Sequence, residues 1–191
     1  MLETKFGELI VQLDLSVSWT FGVKWSSKGK TLAYAGQNSI MYFVNGIGSS
    51  SPPETQTVAY RHLPLCDVCF ISENMVIGVG FDCVPLVFAK GEGDKWKFIR
   101  SIGEIRARSP SLYGSQFDIF GRFIGRAQDE VTVETSEESG GSHDKCINCV
   151  LPLRGRGTLI KRFSTSGLDG RVIIWDLEKQ EDLAEYILGP L

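Results

Sequence analysis

Two groups of residues in this 191-residue chain have types that could carry chemistry. His143, Thr165 and Asp169 bring an imidazole, a hydroxyl and a carboxylate, the ingredients of a hydrolase triad. No GxSxG elbow lifts a nucleophile onto a strained turn, and the only histidines are His62 and His143. The second group is two CxxC pairs, Cys66 with Cys69 and Cys146 with Cys149, the four thiolates a structural zinc needs. Zinc ribbons separate their pairs by about 15–20 residues, whereas Cys66 and Cys146 are 80 positions apart. Residues i and i+3 of a strand point to opposite faces, so a pair inside an intact strand cannot close on one ion. The pairs therefore read as small core residues with no metal, zinc and a disulfide being the alternatives. Phosphate-binding GxxxxGK[ST] and metal-binding HExxH are also missing, so the expectation is no enzyme and no cofactor.

Composition narrows the class. The chain is 42% hydrophobic and 23% charged with a formal net charge of −3, which suits a globular protein and not a nucleic-acid or acidic-membrane binder. No apolar run reaches the roughly 18–20 residues of a membrane span. The start, MLETKFGELI, lacks the basic and apolar regions of a secretory signal. Five cysteines without a secretory context suit a reducing compartment. A cytoplasmic location follows as an expectation.

The elements that must position the candidate residues are strands. FGVKW (21–25), TLAYAG (31–36) and SIMYFV (39–44) are short and rich in β-branched and aromatic residues. The same grammar returns in LCDVCF (65–70), NMVIGVG (74–80) and CVPLVFA (83–89), and again in CINCVLPL (146–153), KRFSTSG (161–167) and RVIIWDL (171–177). Turns GQNS, GFDC and GLDG join the second and third strands of each set, and their Gly with Asn or Asp predicts positive φ in tight hairpins.

Aligning LAYAGQNSIMYFVN, VIGVGFDCVPLVFA and FSTSGLDGRVIIWD puts Asn38, Asp82 and Asp169 in one column and Val44, Phe88 and Trp175 in another. A period near 40–45 residues with four strands per unit is the signature of WD-type propeller blades. The fold class expected is all-β, about three WD-repeat β-propeller blades with a short inserted helix. In such blades His143, Thr165, Asp169 and Trp175 match a structural tetrad, in which Thr and His bridge the indole N–H to the turn carboxylate. The first two repeats, with Val44 and Phe88 in the Trp column, are expected to rely on apolar packing alone.

The expected organisation is an outer strand and connector over 1–20, blades over 21–60, 61–101 and 144–177, an insertion over 102–143, and a tail over 178–191. FGELIVQLD (6–14) reads as the outer strand of a preceding blade. Helical spacing recurs at 178–188 and within the insertion, where Tyr113, Phe117, Phe120 and Ile124 share one face. That face either packs on its own propeller or anchors a partner, with Arg122 and Arg126 beside it to meet an acidic surface. The following ETSEESGGSHD is acidic and rich in Ser and Gly.

FGEL (6–9), FGVKWSSKGKTLAY (21–34), GFDCVPLVF (80–88) and FSTSGLDGRVIIWDLE (163–178) resemble the WD-repeat subunit of the actin-related protein 2/3 complex, its plant versions above all. The resemblance covers Phe6 to Leu177 and corresponds to the C-terminal half of that family's propeller, which implies that the blades are about three of a seven-bladed, here incomplete, propeller. It implies a scaffold subunit that supports nucleation of branched actin filaments. The implied partners are the other subunits, the actin filament and nucleation-promoting activators, with no nucleic acid and no membrane insertion. The alternatives are a WD-repeat adaptor for another complex, such as a ubiquitin ligase or a trafficking coat, and a truncated, non-functional product.

Overall fold

A computed structural model describes residues 7–14, 18–103, 143–153 and 159–188. They form three antiparallel sheets. The first runs in the order β1 (Thr20–Trp25), β2 (Thr31–Gly36), β3 (Ile40–Asn45), β4 (Glu54–Ala59). The second runs β5 (Leu65–Ser72), β6 (Met75–Gly80), β7 (Leu86–Lys90), β8 (Trp96–Ser101). The third holds β9 (Ile147–Leu153), β10 (Arg162–Gly167) and β11 (Val172–Asp176). A short helix, α1 (Ala184–Leu188), follows.

The second sheet is sandwiched, which explains its unbroken apolar strands. Every residue of β6 is buried. Successive side chains face opposite ways, so Val76 packs towards the first sheet with Phe43 and Phe88, while Ile77 and Val79 join Ile147, Val150 and Phe163 on the other side. Along β7, Leu86 and Phe88 face the first core and Val87 and Ala89 the second. Trp96 from β8 stacks on Phe43 with ring centroids 4.0 Å apart.

The outer sheets differ. Leu13 packs over Tyr34, Tyr42 and Val44 on the far face of the first sheet. The far face of the third sheet is open: Leu151 and Leu153 of β9 and Val172 and Ile174 of β11 are exposed. The tail folds back on the second sheet. Leu177 and Leu183 are buried there, the Ser72 hydroxyl donates to the Tyr186 carbonyl at 2.6 Å, and Arg100 grips both carboxylate oxygens of Asp182.

Three expectations need correction. Residues 7–14 form no strand, and among the described residues no strand pairs with them; Leu9 and Ile10 are exposed while Leu13 packs on an apolar face. The strand expected at 83–89 begins at Leu86, since Cys83 turns the chain and Pro85 has no N–H to give. Positive φ falls on the fourth turn residue, at Ser39 (57°), Cys83 (63°) and Gly170 (77°), not on the leading glycine. The leading glycines serve close approach instead: a Cβ on Gly80 would run into the Pro64 carbonyl oxygen.

Candidate functional site

The third sheet draws His143, Thr165, Asp169 and Trp175 into one network. Thr165 sits mid-strand in β10 between Val150 and Ile173, and Trp175 lies two residues further along β11. The Trp175 indole donates to the Thr165 hydroxyl at 2.9 Å, and that hydroxyl lies 2.9 Å from His143 Nε2. His143 Nδ1 faces Asp169 Oδ2 at 3.0 Å. One consistent assignment has indole donating to hydroxyl, hydroxyl to Nε2, and Nδ1–H to carboxylate. The carboxylate also accepts the backbone N–H groups of Asp144 (2.9 Å) and Arg171 (3.0 Å). Burial works against its ionisation, but these two N–H groups and the His143 ring outweigh it and hold the carboxyl down at about 2.

This arrangement clamps the turn. It does not present a nucleophile. His143 and Thr165 are each 1% exposed, and the Thr165 oxygen is already engaged by an indole. Phe163 stacks against Trp175 at 5.9 Å, so the polar chain is walled by aromatic surface.

The second sheet keeps part of the same device, contrary to the expectation of apolar packing alone. His62 Nδ1 lies 3.7 Å from Asp82 Oδ2, and the N–H of Leu63 donates to that oxygen at 2.9 Å. This parallels His143, Asp144 and Asp169. Gly78 and Phe88 occupy the places of Thr165 and Trp175, so no hydroxyl or indole continues the chain, and Phe98 lies 5.0 Å from the His62 ring instead. In the first sheet the Asn38 amide donates to the Tyr42 hydroxyl at 3.0 Å.

Asp67 was missed by sequence reasoning. It joins the neighbouring strands β1, β5 and β9: Lys24 Nζ lies 3.3 Å from Oδ1, the Val68 N–H donates to Oδ1 at 2.9 Å, and the Val150 N–H to Oδ2 at 3.0 Å. Gly22, at φ 51° in a bulge of β1, lets that strand approach; a Cβ there would lie 2.6 Å from the Asp67 Cα. The signal was a lone carboxylate inside an apolar strand, LCDVCF.

The cysteines do not act as two CxxC chelates. Cys69 is core and Cys149 half-buried, while Cys66 and Cys146, one from each motif, bring their sulfurs to 3.5 Å. Cys66 and Cys149, expected as core residues, are half-buried. Among the described residues no group of three or more His, Cys, Asp or Glu side chains could hold a metal ion. No described helix is long and apolar enough to cross a membrane. The six residues assigned to partner binding, Tyr113, Phe117, Phe120, Arg122, Ile124 and Arg126, lie outside the described residues, as does the inserted helix.

No family model matches the chain. Over 183 residues, 94% of its length, the chain is 56% identical to actin-related protein 2/3 complex subunit 1A of Arabidopsis thaliana. Further similar proteins are also subunit 1 proteins of that complex. Subunit 1A-A of Xenopus laevis is 29% identical over 96% of the chain, and subunit 1 of Schizosaccharomyces pombe 24% over 85%. The chain spans about half the length of these relatives, 48% of the Arabidopsis protein. The three sheets are WD-repeat propeller blades, and the four-residue network of the third is the most complete of their turn clamps.

Proposed function

We propose that this chain forms part of a non-catalytic WD-repeat scaffold that assembles with the other subunits of the actin-related protein 2/3 complex and supports nucleation of branched actin filaments. The observation that carries this reading is the 56% identity to the Arabidopsis subunit along 94% of the chain. In this reading residues 21–60, 61–101 and 144–177 are the blades and 178–191 is a tail. The insertion 102–143 reaches the actin filament or an activator through Tyr113, Phe117, Phe120 and Ile124, with Arg122 and Arg126 meeting acidic surface. The protein works in the cytoplasm at the actin cytoskeleton.

Affinity purification of the tagged full chain from plant cells tests this. Recovery of actin-related proteins 2 and 3 is the expected result; recovery of ubiquitin-ligase or coat subunits instead would assign the chain to another adaptor class. For the insertion, Phe117→Ala with Phe120→Ala should leave assembly intact and reduce branching per complex. Loss of thermal stability with unchanged branching per folded complex would make that face part of the core.

A further inference from the structure

The sulfurs of Cys66 and Cys146 face each other across the seam between the second and third sheets at 3.5 Å, although 80 residues separate them in the chain. A disulfide requires about 2.05 Å, so the thiols must close by a small movement. Both positions allow it. Cys66 sits in a bulge of β5, where the pairing register shifts between Leu65 and Asp67, and Cys146 immediately precedes β9. Cys66 is half-buried, so a small oxidant reaches it, while Cys146 is buried. This is the order expected of an attacking and a resolving thiol. The neighbouring Cys146 sulfur lowers the Cys66 thiol pKa, against the opposing effects of burial and the Asp67 carboxylate. The three remaining cysteines are placed differently: Cys69 is enclosed in the apolar core between the second and third sheets, Cys83 points its sulfur at the Phe81 carbonyl within a turn, and Cys149 is half-buried within β9 opposite Ser166.

We propose that Cys66 and Cys146 are a modification site, an oxidisable thiol pair that forms a reversible disulfide between adjacent propeller blades. The oxidant is a hydroperoxide. The Cys66 thiolate attacks one peroxide oxygen, the O–O bond breaks, hydroxide leaves and takes up a proton as water, and Cys66 becomes a sulfenic acid. The Cys146 sulfur then attacks the Cys66 sulfur, the S–O bond breaks, and the hydroxyl departs as a second water with the Cys146 proton. Two thiols lose two electrons and hydrogen peroxide becomes two waters. A dithiol reductant reverses the bond. The link would fasten the seam that Asp67 bridges by a hydrogen bond one residue away.

The test uses the folded full chain exposed to a small excess of hydrogen peroxide, followed by alkylation and peptide mass spectrometry without reductant. The expected result is a cross-linked peptide pair containing Cys66 and Cys146, lighter by two hydrogens and abolished by dithiothreitol, with Cys69 remaining alkylatable after unfolding. Oxidised protein should melt several degrees above reduced protein, a rise lost in Cys146→Ser. In that variant Cys66 should instead accumulate as a dimedone-reactive sulfenic acid. Conversion of Cys66 to sulfinic acid in the wild-type chain while Cys146 stays free would overturn the proposal, as would a disulfide made by any other pair. The inference does not depend on assembly with actin-related proteins.

Discussion

The carboxylate of Asp67 accepts the backbone N–H of Val150 at 3.0 Å, so one side chain of the second blade completes the hydrogen bonding of the third. Its other oxygen serves the Val68 N–H and meets Lys24. Lys24 is 44% exposed, and exposed ion pairs contribute little. The weight falls on the two buried N–H groups. Asp67→Ala should therefore destabilise the protein by about 2–4 kcal/mol, since buried donors left unmet cost about 1–3 kcal/mol each and one regains water in part. Lys24→Met should cost under about 1 kcal/mol. Urea unfolding of both variants checks the ranking; equal losses would shift the weight to the ion pair.

Thr165 holds the middle of the third blade's clamp, taking the Trp175 indole N–H and facing His143 Nε2. Thr165→Val keeps the shape and removes the hydroxyl, leaving an indole donor and a ring nitrogen without their partner. The expected loss is about 2–3 kcal/mol, with Thr165→Ser recovering most of it. A denaturation midpoint for Val equal to that for Ser would mean that packing alone carries the site.

Asp169 gives stability a defined acid limb. Its carboxyl is held at about 2, below its ordinary 3.8, by the Asp144 and Arg171 N–H groups and His143, which together overcome burial. A depressed folded-state value means the stabilisation is complete above the unfolded value and is lost as pH falls from about 4 to about 2. Asp169→Asn should be less stable at neutral pH and should lack this component of acid sensitivity. Unfolding free energies of both proteins from pH 6 to pH 2 measure it, and parallel curves would remove Asp169 from the acid response.

The repeat could be read from the sequence because its period and its turn residues leave marks at fixed spacing. Trp175, Asp169, Thr165 and His143 are of types rarely interchangeable, so their grouping was legible before any coordinates. Partial clamps are harder. His62 and Asp82 pair in the second blade, but without Trp or Thr beside them the alignment showed only Phe88 and an apolar reading. Asp67 and the Cys66–Cys146 approach were not legible at all. Both arise between blades, where spacing along the chain does not record which strands lie side by side. FGELIVQLD reads as a strand, but over residues 7–14 no ladder forms among the described residues, and an apolar segment becomes a strand only where a neighbour completes its hydrogen bonds.

Cys83 tests the turn geometry. It occupies φ 63°, the left-handed region, at the same turn position as Ser39 and Gly170. An L-residue there costs roughly 1–2 kcal/mol that glycine avoids. Ser39 offsets part of this by donating its hydroxyl to the His62 carbonyl at 2.8 Å, a bond between the first and second blades. Cys83 has a weaker return, its sulfur lying 3.5 Å from the Phe81 carbonyl oxygen. Glycine also enlarges the freedom of the unfolded chain, which removes about 0.4–1 kcal/mol of the gain. Cys83→Gly should thus stabilise the protein by up to about 1 kcal/mol, while Ser39→Gly should be neutral or destabilising because it severs the bond to His62. Thermal melts of the two variants decide it: a lower midpoint for Cys83→Gly would mean that side-chain packing in the turn outweighs the backbone strain.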